Sequence, residues 1–169
     1  MTENSNGITT ELIKQLRDKT GVSIMQCKKA LDETSGDIEK AIVFLAKKSA
    51  DIAGKKADRT LGAGIVASYV HSTGTVGTMI ELLCETDFVA QNEEFKKLAR
   101  DIAMHATATN PQFLKAEDIG AESAPEDVLL NQPFIKNPEV TIINLINTAT
   151  QKFGEKIELS RFVRFSVSN

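Results

Sequence analysis

Apolar and polar positions along the chain change their spacing several times, and each change marks a change of element. From Leu12, Ile13 and Leu16, through Ala30 and Leu31, to Ile38, Ala41, Ile42 and Leu45, apolar residues recur at the spacing that lines one face of a helix. Thr9, Ser23 and Asp37 stand where a side-chain oxygen can cap the first free N–H groups, and Ser23 with Gln26 has the form of a capping box. Gly21 and Gly36 tolerate the left-handed backbone that ends a helix. These signals predict three short helices around one small core.

Past Gly54 the period moves toward two. Residues 65–71 and 76–84 are rich in branched and bulky side chains, and the turn cluster Ser72, Thr73, Gly74 and Thr75 between them predicts an antiparallel hairpin. Helical spacing returns in Phe95, Leu98, Ala99, Ile102 and Ala106, behind Asn92 as a candidate cap. That helix is expected from Glu93 to about Ala108, ending before Asn110 and Pro111 and packing across the hairpin. Residues 115–133 are mixed and acidic, with a short helix expected from Glu126 to Leu130 after Pro125. A further helix from Thr141 to Lys152 stops at Gly154. Ile157, Leu159, Val163 and Phe165 alternate with Glu158, Phe162 and Arg164, which predicts a closing strand with the first set toward the core. The expected fold class is α+β: an N-terminal three-helix bundle, then a core with a three-stranded antiparallel sheet packed against helices. Residues 47–59 are small, charged and poor in apolar anchors, so they read as helix end and linker. The expected domains are 1–54, the helical module and linker start, and 55–169, the core that would also dimerise.

Composition narrows the function. The 169 residues hold one ordinary domain with an appendage, and a formal charge of −3 argues against nucleic acid as a direct ligand. Cys27 and Cys84 are too few for a disulfide framework, and with His71 and His105 they show no metal-ligand spacing; buried thiols in a reducing cytosol are expected. Residues 1–7 lack the basic and apolar blocks of a signal peptide and no apolar run reaches membrane-spanning length, so a cytoplasmic protein without a membrane partner is expected. Gly62, Gly64 and Ala67 formally fit a dinucleotide fingerprint but precede a strand instead of following one, and Gly74 and Gly77 lack the end of a phosphate loop. No nucleophile stands beside a base, so no enzyme is expected.

One stretch stands out as chemistry. Residues 85–92 join the second strand to the following helix and place Asp87 beside Phe88. Two readings are open from spacing alone: Phe88 is held out as a probe, or, seven residues before Phe95, it begins the apolar stripe of a helix that starts early.

Cys84, Glu85, Thr86, Asp87, Phe88, Val89 and Ala90, followed by Asn92, Glu93, Glu94 and Phe95, resemble the signature of the elongation factor Ts family, guanine-nucleotide exchange factors for elongation factor Tu. Residues 17–21 and 25–31 resemble that family's N-terminal ubiquitin-associated-type bundle, residues 69–71 its hairpin, and residues 132–135, 152–157 and 161–165 its closing segments. The resemblance implies that Thr86, Asp87, Phe88 and Val89 bind the partner and dislocate its magnesium, so that GDP leaves. It implies further contacts from Ile24, Met25 and Lys28 on the nucleotide-binding domain of elongation factor Tu, and from His71 and Gly154. Magnesium and GDP belong to the partner, so no cofactor or metal of this chain is implied. Longer members carry two core subdomains; this chain resembles the short form, in which two chains pair, so a homodimer is implied, binding elongation factor Tu both GDP-bound and nucleotide-free.

The chain departs from the family pattern at Val22, Ser23 and Ile24, where a small residue, glycine and methionine are more usual, and at Gln91, where arginine or lysine is common. By chemistry alone, Lys28 and Lys29 read as a solvated face, while Met25 suits either an interface or the core. The alternative function is a plain binding module, its three helices recognising another helix or peptide above a dimerising core. Such a module would bind without stimulating GDP release.

Overall fold

The computed structural model describes residues 8–118 and 124–167; the leader reading of residues 1–7 lies outside them. Three helices open the chain: α1 (Thr10–Thr20), α2 (Ile24–Glu33) and α3 (Ile38–Gly54). Each starts at the cap expected of it. The Thr9 hydroxyl accepts from Leu12 N–H at 3.2 Å, Ser23 from Gln26 N–H at 3.4 Å and the Asp37 carboxylate from Lys40 N–H at 3.0 Å. Gly21, at φ +69°, closes α1 by donating its N–H to Arg17 O. Leu16, Val22, Cys27, Ala30, Leu31, Ala41 and Leu45 form a buried cluster of their own between the three helices. Each large member contributes about 1.5–3 kcal/mol of burial.

α3 ends at Gly54, within the 47–59 stretch read as helix end and linker, and its last turns are held from outside. Ser49 is buried, and its hydroxyl donates to Gln151 Oε1 at 2.8 Å, because α3 lies along the later helix α6 (Ile142–Phe153). Tertiary packing therefore keeps an apolar-poor stretch helical.

The second, larger cluster is built on a three-stranded antiparallel sheet of order β1 (Ala63–Val70), β2 (Val76–Cys84) and β5 (Glu158–Ser166). Helix α5 (Glu93–Thr109) crosses one face, setting Phe95, Ala99, Ile102, Ala103 and Ala106 against Ile80, Leu82, Cys84 and Leu159. Asn92 caps α5 by accepting from Glu94 N–H at 2.9 Å, and Asn110, at φ +51°, ends it. The Phe95 ring meets Phe153 of α6 edge-on at 6.2 Å, tying both helices to the sheet. Gly64 has a packing reason: a Cβ there would lie 2.6 Å from the Leu82 carbonyl and 2.8 Å from the Leu83 side chain. The formal nucleotide fingerprint is thus a close crossing of β1 and β2.

Strand β5 departs from simple alternation. A bulge between the pairs Glu81↔Arg161 and Leu82↔Leu159 inserts an extra residue, so the inward face changes parity along the strand. Ile157 and Leu159 point into the core, but beyond the bulge Phe162 packs inward and Arg164 donates to Thr107 O of α5 at 3.2 Å. Val163 and Phe165, expected inside, lie on the outer face, 43% and 67% exposed.

Between α5 and α6 the short helix expected at Glu126–Leu130 is replaced by two 3-10 turns, Pro125–Asp127 and Leu129–Asn131. A small ribbon follows, β3 (Pro133–Phe134) with β4 (Asn137–Thr141), which spacing did not announce. Buried His105 fastens this layer. Its Nδ1 accepts from Ile135 N–H at 3.3 Å, which leaves Nε2 to donate to Gln132 Oε1 at 2.9 Å. Gln132 also accepts from the Thr109 hydroxyl at 2.7 Å and donates to Glu126 O at 2.7 Å. Among the described residues no helix is long and apolar enough to cross a membrane, and no group of three or more His, Cys, Asp or Glu residues is placed to hold a metal.

Candidate functional site

The connection between β2 and α5 is neither a plain loop nor an early start of α5. Asp87–Ala90 form a one-turn helix, α4, that closes with Ala90 N–H donating to Thr86 O at 3.2 Å. The chain then breaks at Gln91 and Asn92 before α5 begins. Val89 and Ala90 are buried in the sheet–helix core, whereas Thr86, Asp87 and Phe88 are exposed, and Phe88 is 85% exposed. Of the two sequence readings, the apolar-stripe one fails: Val89 and Ala90, not Phe88, are the buried members of this turn.

The backbone under the ring is fixed from both ends. Downstream, Val89 and Ala90 sit in the core. Upstream, the Glu155 carboxylate accepts from Glu85 N–H at 3.1 Å, Thr86 N–H at 3.0 Å and the Thr86 hydroxyl at 2.6 Å. The Glu85 carboxylate answers by accepting from Lys156 N–H at 2.5 Å and from Arg59 Nη1 at 3.2 Å. Each glutamate thus binds backbone of the other segment. Arg59 also donates to Gly154 O at 3.3 Å, and Lys56 Nζ does so at 2.9 Å. Gly154, at φ +73°, is the left-handed residue that ends α6 and turns the chain so that Glu155 reaches the tip.

Electrostatics agrees with this geometry. The Lys156 N–H above all, with Arg59 beside it, holds the Glu85 carboxyl below its ordinary pKa, so it is a carboxylate acceptor at neutral pH. Burial, reinforced by the charge of Glu155, pushes the Cys84 thiol up, and its S–H donates to Thr86 O at 3.3 Å. Cys27 is likewise raised by burial. Both cysteines are free and buried, held as unreactive thiols.

The other candidates occupy two further places. Ile24, Met25 and Lys28 share the start of α2, with Ile24 56% and Met25 83% exposed, which resolves the two readings of Met25 in favour of a surface. Lys28 and Lys29 are exposed. His71 stands at the hairpin tip, where its N–H donates to Val76 O at 2.9 Å. The register pairs Ala63 with Cys84 and Val70 with Gly77, so His71 lies at the far end of β1 from Phe88, about 25 Å along the strand. The structure therefore gathers Thr86, Asp87, Phe88, Val89 and Gly154 into one site, leaves His71 at the far end of the hairpin, and sets the start of α2 beside the end of α6, where Ser23 and Gln26 share a cavity with Gln151 and Lys152.

Sequence reasoning did not single out Glu155, Arg59 or the carboxylate of Glu85. Local spacing holds little signal for contacts spanning about 70 residues of chain. One oddity was visible, an acid directly after the glycine that ends α6, where the helix dipole favours a base. Such a residue points to a partner elsewhere.

The family model described as Elongation factor TS matches residues 6–127. The Elongation factor Ts of Thermodesulfovibrio yellowstonii is 44% identical over an alignment covering 95% of this chain and 96% of that protein. Those of Thermosipho melanesiensis and Desulforamulus reducens are 42% and 40% identical, each covering 95% of this chain and 98% and 89% of their own length.

Proposed function

This chain belongs to the elongation factor Ts family, the guanine-nucleotide exchange factors of elongation factor Tu, and we propose that it drives GDP release by wedging Phe88 into the partner's nucleotide-binding domain. The observation that carries the reading is an aromatic ring 85% exposed on a turn whose backbone is pinned on both sides. Exchange makes and breaks no covalent bond. It requires an interaction stronger with the nucleotide-free shape of the partner than with the loaded one, and by linkage bound nucleotide weakens the factor by the same ratio. Burying one phenylalanine side chain is worth about 1.5–3 kcal/mol, and each tenfold of coupling takes about 1.4 kcal/mol. Phe88 alone can therefore supply one to two decades if its pocket opens only in the released shape.

In this reading Thr86, Asp87 and Val89 complete the tip. Asp87 and the backbone displace partner segments that hold magnesium, and GDP follows. Residues 1–54 serve as a recognition module through Ile24, Met25 and Lys28, residues 55–169 carry the tip, and His71 and Gly154 make secondary contacts. The partner is met GDP-bound and left nucleotide-free, in the cytoplasm.

The outer face of the sheet supports pairing with a second copy of the chain. Val66, Val70, Met79, Val163 and Phe165 are exposed there, and the opposite charges beside them, Glu81 and Arg161, already pair at 3.2 Å. A broad apolar face with its charge neutralised internally suits sheet-on-sheet packing against its own copy.

Stopped-flow release of a fluorescent GDP analogue from elongation factor Tu, with and without this protein, tests the function. Release should accelerate with concentration toward a plateau. Binding without acceleration would favour the passive binding module.

A further inference from the structure

We propose that Glu155 is a positioning residue for exchange, one that fixes the direction of Phe88 by gripping Glu85 and Thr86 without itself meeting the partner; the proposal rests on the wedge reading above. Phe88 has little packing of its own to hold its ring, so its direction is that of the backbone turn beneath it. The buried pair Val89 and Ala90 fixes the downstream end of that turn. Upstream, apolar anchoring ends at buried Cys84, whose S–H donates to Thr86 O; Thr86 and Asp87 are themselves exposed, and Thr86 makes no side-chain cap bond to α4.

Its hydroxyl is turned away from the helix instead. It donates to Glu155 Oε1 at 2.6 Å, while Glu155 Oε2 takes the N–H groups of both Glu85 and Thr86 at 3.1 and 3.0 Å. Thr86 is thereby held extended, at φ −131° and ψ 154°, immediately before the chain coils into α4. Without that grip only the Cys84 S–H bond and the bonds of the Glu85 carboxylate hold the segment before Val89, which leaves Thr86 and the ring beyond it room to swing off the approach. Arg59 stiffens the same joint from the other side by donating to both Glu85 Oε1 and Gly154 O, at 3.2 and 3.3 Å. Carboxylate-to-N–H bonds of this kind are directional as well as strong, which suits a positioning role.

Glu155→Gln keeps the size of the side chain but removes the charge: its amide oxygen takes both N–H groups, the Thr86 hydroxyl turns from donor to acceptor, and three charge-assisted bonds become weaker neutral ones. Glu155→Asp keeps the charge and shortens the reach. GDP-analogue release should be measured against factor concentration for wild type, Glu155→Gln, Glu155→Asp, Phe88→Ala and the double variant Glu155→Gln/Phe88→Ala, with heat unfolding of each. We expect Glu155→Gln to lower the plateau rate about tenfold with the half-saturating concentration within about threefold, Glu155→Asp to fall between, and the double variant to match Phe88→Ala. A Glu155→Gln plateau equal to wild type, a further loss in the double variant, or a variant that no longer folds would each overturn the assignment. If Phe88→Ala itself exchanges at the wild-type rate, the wedge reading fails; if only Glu155→Gln does, the wedge stands and the grip is refuted.

Discussion

Two parts of the same core expose aromatic side chains, and they do so in opposite ways. Phe88 stands alone on one helical turn, clamped by glutamates upstream and by buried Val89 and Ala90 downstream. Phe165 shares the outer sheet face with exposed Val70, Met79 and Val163. A single rigid point can distinguish two shapes of a partner, because its energy depends on whether one pocket is open. A broad face cannot discriminate so finely, but it accumulates area, which is what association between copies needs. In the proposed reading, rigidity makes the first a lever and breadth makes the second a seat.

The comparison can be broken by loading charge on the seat. Val163→Asp with Phe165→Asp buries two unpaired carboxylates in any sheet-on-sheet dimer, at a cost of several kcal/mol. Association should weaken by at least about 100-fold, read by light scattering as a fall from twice the chain mass to 18.4 kDa. The heat-unfolding midpoint of the single chain should be almost unaffected, since both side chains are already exposed.

A second perturbation reaches lever and seat together. Burial holds His105 below its ordinary pKa, with the Gln132 bond opposing weakly, and its Nδ1 must stay unprotonated to accept from Ile135 N–H. The unfolded chain takes up that proton near pH 6.5 and the folded chain only at lower pH, so the unfolded state binds more protons in that window. The stabilisation is complete above about pH 6.5 and is lost as pH falls toward the folded value. Urea midpoints should therefore drop between pH 7.5 and 5.5, with a shallower drop in His105→Gln.

The smallest effect sharpens the division of labour between modules. Met25 is exposed on α2, in the helical module and not on the turn that carries Phe88. Met25→Ala should raise the half-saturating concentration for exchange about three- to tenfold and leave the plateau rate unchanged. A lowered plateau would place Met25 in the lever instead.

Much of this molecule was legible from spacing and caps. Thr9, Ser23, Asp37 and Asn92 cap as their positions suggested, and the hairpin and α5 fall where the period changes. What spacing missed shares a physical origin in contacts distant along the chain. Alternation placed Val163 and Phe165 inside because a bulge leaves no mark in a strand of mixed side chains, yet one extra residue exchanges the two faces. Residues 47–59 read as helix end and linker, and α3 does end at Gly54, but the support its last turns take from α6, about 100 residues later, leaves no local mark. At the tip, Phe88 was visible as an aromatic beside an acid, but its stiffness comes from Glu155 and Arg59, which no local pattern connects to it.

The most direct test of the lever is the plateau rate of GDP-analogue release by Phe88→Ala beside wild type, with heat unfolding as the control for folding. The ring is 85% exposed and contributes almost nothing to the protein's own core, so the unfolding midpoint should stay within about 2 °C while the plateau falls about 10- to 100-fold. A Phe88→Ala protein that releases nucleotide as fast as wild type, or one whose fold collapses, would contradict the account.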